Sequence, residues 1–265
     1  MVGIAAYGAY LPRLRLSRIA VVQNMGWFAP ALMMAAQGER TMCNWDEDSI
    51  TMAVASSKDC LTGFDKKKVD GAYLASTSLP FKDRQNCGIM AAATNLAEEG
   101  LTTADFTSCT KSGTTALLAG IDAVKSGNKS NVLVTASDAR PTKAAWFYQL
   151  WYGDGAASLL LGKENVIAEF KGAHSVSCDF IPSYRGANAT FDYGWEERWI
   201  REEGFSKIMP ACMKGLLQKC NLSPDQGSLY PSQPLISAAG TSWSPGSRPG
   251  KPPNCSRSRP PSGAP

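Results

Sequence analysis

Apolar and polar positions along this chain switch repeatedly between two periods, and each switch marks an element. Val2–Leu11 reads as a strand of small residues, and Ala20–Gln37 as a partly helical stretch interrupted by Gly26 and Pro30. Asp46–Leu61 is an amphipathic helix whose first turn carries Asp46, Glu47 and Asp48, acids that suit the positive end of a helix dipole. Val69–Ala75 reads as a buried strand, Asn86–Leu96 as an alanine-rich helix and Thr103–Ser108 as a short strand. Ser112–Ser126 follows as a helix ended by Gly127. Asn131–Ala136 is a continuous apolar run, the pattern of a strand covered on both faces. Ala157–Leu161 and Val166–Ser177 are two further predicted strands, and Glu196–Cys220 is a long helix with an expected bend at Pro210. Strands alternating with helices predict an α/β layered fold around a largely parallel sheet.

The pattern stops near residue 227. Residues 228–265 hold nine prolines, nine serines and four glycines in 38 positions, with neither period. Such a stretch buries too little apolar area to offset chain entropy, so it is expected to be a disordered tail behind a domain at 1–227. The tail reads either as a proline-rich docking segment or as an end without function. The same boundary disposes of the net charge of +4. Beyond Ser228 there are four basic residues, Arg248, Lys251, Arg257 and Arg259, and no acid, which accounts for the whole excess. The remainder is formally neutral and offers no basic stripe for nucleic acid.

The eight cysteines form no Cys-x-x-Cys pair, and with the single His174 they suggest neither a metal site nor a disulfide framework. Reduced thiols in a cytoplasmic protein are expected. His174 itself is expected to be structural. No apolar run is long enough to span a bilayer, and no phosphate-binding glycine loop is present. The Lys66-Lys67-Lys68 run reads as a solvated turn. The aromatic group Trp146-Phe147-Tyr148 with Trp151-Tyr152 fits a core as well as it fits a pocket wall or a dimer face.

Candidate chemistry gathers where a strand gives way to a helix: Asp105-Phe-Thr-Ser-Cys109-Thr-Lys-Ser-Gly113-Thr114. Amides at a helix N-terminus carry partial positive charge, an arrangement that favours a thiolate at Cys109, with Lys111 as a second cation. A thiolate there can accept an acyl group from a thioester. A cysteine packing like alanine at a strand end is the alternative.

With Gly3–Arg13, Asp46–Ala53, Cys109 with Gly113-Thr114, Gly153-Asp154-Gly155 through Gly162, and Glu196–Gly204, the chain resembles the thiolase superfamily, on the hydroxymethylglutaryl-CoA synthase and ketoacyl synthase III side. The resemblance covers about residues 2–226. It implies a thiolase-like layered fold, with the first half and the start of the second present, so that the chain reads as incomplete. It also implies Cys109 as acyl acceptor and a C–C bond-forming acyltransferase of lipid metabolism. The expected substrate is an acyl-CoA thioester, with no cofactor and no metal. The expected assembly is a homodimer or a larger acyltransferase assembly, without nucleic acid or membrane. The family's histidine and asparagine of the second half have no counterpart here, and Thr77 stands near the position of the synthase glutamate. Cys109 lies five residues before Thr114, where the family has four, which puts Thr110 in the usual register. These departures keep a second reading open, a non-catalytic or truncated thiolase-like interaction subunit.

Overall fold

The computed structural model describes residues 1–27, Pro30, Met33, 36–144 and 146–223. The proline-rich segment from Ser228 lies outside the described residues, as do Cys255 and several positions of 28–35.

Among the described residues, ten strands and seven α-helices appear in chain order: β1 Gly3–Tyr10, β2 Leu14–Ser17, α1 Arg18–Met25, β3 Glu39–Met42, α2 Ser49–Cys60, β4 Gly71–Ala75, α3 Asn86–Ala93, β5 Thr102–Phe106, α4 Ser112–Ser126, β6 Val132–Asp138, α5 Phe147–Trp151, β7 Gly155–Gly162, β8 Ala168–Glu169, β9 Ser183–Tyr184, β10 Tyr193–Gly194, α6 Glu197–Trp199 and α7 Ser206–Cys220. The central sheet has six strands in the order β5-β4-β6-β7-β1-β8. It is mixed rather than largely parallel. β4 pairs in parallel with β5 and β6, whereas β6–β7, β7–β1 and β1–β8 are antiparallel. Two further two-stranded ribbons pair β2 with β3 and β9 with β10.

Strand alternation sorts the core into two faces. Ala72, Leu74, Leu133 and Leu160 meet α2 and α3, through Ala53, Cys60, Cys87, Met90 and Ala91. Ala75, Val132, Val134 and Leu161 meet α4, through Ala116, Ile121 and Val124. The continuous apolar run of β6 is covered on both sides, as its pattern requires. Gly120 lets α4 settle on the sheet, since a Cβ there would stand 2.8 Å from Leu161 Cδ1 and 3.0 Å from Val134 Cγ2. Under α2 four hydroxyls are fully buried. Ser158 Oγ lies 2.8 Å from both Ser56 Oγ and Thr135 Oγ1, and Ser57 Oγ lies 3.0 Å from Thr135 Oγ1, so the group satisfies itself.

Several expectations are corrected at the element ends. The acids before α2 are outside the helix. Asp48 is the N-cap, accepting from Thr51 N at 2.7 Å while Thr51 Oγ1 accepts from Asp48 N at 2.7 Å, a capping box. Glu47 instead accepts from Tyr10 Oη and from Asn44 N. The strand expected at Val166–Ser177 shrinks to β8, because β1 starts at Gly3 and offers no partner beyond Phe170 N→Val2 O. The long C-terminal helix forms, and its irregularity is a π turn at Ile200–Phe205, upstream of Pro210.

Candidate active site

β4, β5 and β6 end side by side. Ala75 pairs with Phe106 on one side and Ala136 on the other, so the residues that follow these three share one edge of the sheet. Crevices outside the carboxyl ends of sheet strands are where open α/β sheets bind ligands.

Cys109 lies on the turn from β5 to α4 and is exposed. Ser108 before it adopts a left-handed conformation, φ 65°, which reverses the chain. The Cys109 carbonyl accepts from Ser112 N at 3.0 Å, which ties the cysteine to the first turn of a fifteen-residue helix. Its thiol carries no hydrogen bond among the described residues. Lys111, expected as a second cation for the thiolate, turns to its own helix and donates to Thr115 Oγ1 at 3.1 Å.

Cys178 is also exposed, whereas Cys43, Cys60 and Cys87 differ in surroundings. Cys60 and Cys87 are buried, and Cys87 Sγ donates to the Ala72 carbonyl at 3.1 Å. Burial pushes the Cys60 thiol up to about 11 and the Cys87 thiol up to about 12. Burial and then the Asp154 carboxylate push Cys43 up to about 12. These thiols stay protonated at neutral pH and pack as small hydrophobes.

The densest polar group at this edge centres on Asp138, the last residue of β6. Its Oδ1 accepts from Thr77 N at 2.7 Å and from Ser76 Oγ, Thr77 Oγ1 and Ser78 Oγ, each at 3.0 Å. Ser78 Oγ in turn accepts from Ala139 N at 2.9 Å. Thr77 thus stands within one hydrogen bond of a carboxylate supplied by the neighbouring strand. Asp138 also lines a cleft of about 290 Å³ with Arg140, Trp151, Tyr152 and Gly153. The Arg140 guanidinium lies 4.8 Å from the Tyr152 ring centroid, and Tyr148 and Tyr152 stack at 4.8 Å. Burial pushes the Tyr152 hydroxyl up to about 12.

Asp192 fastens the following segment to this edge. Its side chain is only 2% exposed; Arg140 Nη2 donates to Oδ2 at 2.6 Å and Arg185 Nη1 lies 3.5 Å from Oδ1. Arg185 Nη2 also donates to the Thr77 carbonyl.

The remaining sequence candidates are structural. Asp154 of the Gly-Asp-Gly turn accepts from Cys43 N at 2.8 Å and pairs with Arg40 at 3.7 Å, while Thr41 Oγ1 donates to its carbonyl at 2.6 Å. That turn anchors β3 rather than forming a catalytic loop. His174 packs on α7 where Gly215 leaves room; a Cβ there would stand 2.3 Å from the imidazole Nε2. Lys66 donates to the Thr94 carbonyl at 2.9 Å, while Lys67 and Lys68 face solvent. The aromatic group divides: Phe147 and Trp151 pack on Val21, Val22 and Leu150, while Trp151 and Tyr152 also wall the cleft. Among the described residues no three His, Cys, Asp or Glu side chains converge as a metal site, and no helix is long and apolar enough to cross a membrane.

Sequence reasoning missed Asp138 and Asp192. The first had a signal, an acid closing an uninterrupted apolar strand. The second had none, because no element was predicted between Ser177 and Glu196.

No family model matches the chain. It is 28% identical over 230 residues to the hydroxymethylglutaryl-CoA synthase of Methanocaldococcus jannaschii, covering 85% of this chain and 66% of that protein. The corresponding protein of Methanopyrus kandleri is 28% identical over 231 residues, covering 84% of this chain and 64% of its own length. The chain is a homologue of the hydroxymethylglutaryl-CoA synthases. It spans about two thirds of the length of these curated relatives. The fold is thiolase-like. It superposes on MvaS in complex with 3-hydroxy-3-methylglutaryl coenzyme A with a TM-score of 0.75 at 17% identity, over 83% of this chain and 54% of that one. Against 3-oxoacyl-(acyl carrier protein) synthase III from Pseudomonas aeruginosa the TM-score is 0.68 at 15% identity, over 83% and 72%.

Proposed function

We propose that this synthase homologue handles acyl-CoA as part of a condensing acyltransferase, with Cys109 as acyl acceptor. The observation that supports this reading most is the placement of Cys109. It is an exposed thiol on a strand-to-helix turn, at the sheet edge that also carries the Asp138 cleft. The Cys109 thiolate attacks the thioester carbonyl carbon, a new C–S bond forms, and the CoA thiolate leaves. The positive end of the α4 dipole favours the attacking thiolate and the transient oxyanion. The exchange of one thioester for another needs acyl-CoA as substrate and no further cofactor.

The free edge of β5 supports a homodimer. β5 pairs only with β4 among the described residues, and its outer backbone groups are open to a second copy of the same strand. The Gln85 side chain covers part of that edge, bonding to the Thr103 carbonyl at 3.0 Å.

Incubation with acetyl-CoA followed by peptide mass spectrometry tests the reading. An acetyl adduct on Cys109 is expected, absent in Cys109→Ala. An unmodified Cys109 leaves the second reading, an interaction subunit without chemistry.

A further inference from the structure

We infer that the aromatic face of residues 180–199 is a docking surface for a basic, proline-rich segment of a partner protein. The inference is independent of the acyl-acceptor reading of Cys109. Five rings follow one another across this face. Tyr184 and Tyr193 lie 5.3 Å apart, Tyr193 and Trp195 5.9 Å, Trp195 and Trp199 5.4 Å, and Trp199 and Phe180 4.5 Å. Tyr184, Tyr193, Trp195 and Trp199 are exposed, by 40% to 53%. None of the five packs into the apolar clusters of the core. A contiguous exposed apolar surface rimmed by polar groups marks an interaction site.

The backbone holds the rings in place before any partner arrives. Tyr184 and Tyr193 are directly opposite on β9 and β10, and Trp195 N donates to the Pro182 carbonyl at 3.1 Å. Phe180 lies against Gly204, where a Cβ would stand 2.3 Å from its Cε1. Successive ring planes along Tyr184, Tyr193, Trp195 and Trp199 are inclined by 44°, 88° and 45°, so the rings form slots rather than a flat platform. Proline rings fit between aromatic walls of this kind. A polyproline II segment presents them already extended, with about three residues per turn, so little ordering is left to do on binding. Charge then selects among proline-rich segments. Residues 193–205 carry four glutamates against two arginines, and all four glutamates are exposed. Arg198 pairs with Glu202 and Lys207 with Glu203, which leaves Glu196 and Glu197 without an ion pair among the described residues. The hydrogen bonds that Glu196 accepts from Arg198 N and Trp199 N hold its carboxyl below the usual range, so it stays charged at neutral pH. This acidic border favours a basic ligand and opposes an anionic lipid surface.

The test is fluorescence anisotropy of a dye-labelled peptide of repeated Arg-Pro-Pro triplets, about 12 residues long, titrated with the full chain. Its period places the arginines along one edge of the polyproline II helix. Saturable binding is expected, with Glu-Pro-Pro and Arg-Ala-Ala peptides binding at least about tenfold more weakly. W195A and W199A are each expected to weaken binding at least about tenfold. E197K, which leaves every ring in place, is expected to weaken it about threefold. W45A, an exposed tryptophan outside this face, is expected to bind as the parent does. No saturable binding, equal binding of either control peptide, or parent affinity in W195A or W199A overturns the inference. Concentration-dependent self-association that W195A abolishes, without peptide binding, assigns the face to a second copy and likewise overturns it. If the tryptophan variants fail to fold, E197K carries the test: weaker binding supports the inference and unchanged affinity overturns it.

Discussion

The sheet and the segment that follows it, residues 163–223, are held together by different physics. In the sheet, β1 and β4 to β7 run five to eight residues and pair along their length, with only the edge strand β8 coming from the later segment, and both faces are sealed by helices. In the following segment β8, β9 and β10 are two residues each, and α7 has no buried residue. That segment is tied down at points. Asp192 meets Arg140, Lys219 Nζ donates to the Ala173 carbonyl at 2.8 Å, and Cys212 Sγ donates to the His174 carbonyl at 3.4 Å. Its aromatic residues stack on one another at the surface. Phe180 lies 4.5 Å from Trp199, Trp199 5.4 Å from Trp195, and Trp195 5.9 Å from Tyr193. Area distributed over a core resists single losses; a structure pinned at points depends on each pin.

The largest effect is expected at the strongest pin. Asp192→Ala leaves two arginines facing a buried void, and removing one partner of such a pair costs about 3–5 kcal/mol. Hydrogen exchange should show residues 178–196 losing protection while β1, β4, β6 and β7 keep theirs. Uniform loss across the sheet would erase the contrast between the regions. Leu133→Ala, in the fully buried middle of β6, should cost about 2–5 kcal/mol. In this case denaturant unfolding should shift as one transition, because the cavity lies in the core between the sheet and α2 and α3. A smaller effect separates the regions by pH. The thiols of Cys60 and Cys87 lie above their ordinary value of 9.0, at about 11 and 12, because burial disfavours the charged form. The unfolded chain therefore loses these protons first. The contribution is complete below pH 9 and is lost as pH rises through the folded values. Thermal melts should decline from pH 9 towards 12, and Cys87→Ala should flatten the decline. An unchanged slope in that variant would remove the buried thiol as a cause.

How far the fold was legible follows from the same contrast. α4 and its stop at Gly127 match the expected Ser112–Ser126, because the period and the left-handed glycine, φ 81°, are both local. β6 was recognisable from its apolar run for the same reason. The mixed direction of the sheet was not legible, because which strands become neighbours is settled by long-range packing. Val166–Ser177 has the composition of a strand, yet only Ala168–Glu169 finds a partner. At the site, Cys109 was visible as a cysteine before a small-residue helix. The Asp138 group was not, since Ser76–Ser78 lie some sixty residues from it in sequence.

By itself the sequence determined the main helices and the long sheet strands, the neutral charge of the part before Ser228 and the candidate nucleophile, since each depends on neighbours within a few residues. Only the tertiary structure decided which acid stands over the end of β4 and what holds the following segment down. Hydrogen bonds and ion pairs of that kind depend on distance in space, which the order of residues leaves open until the strands have paired.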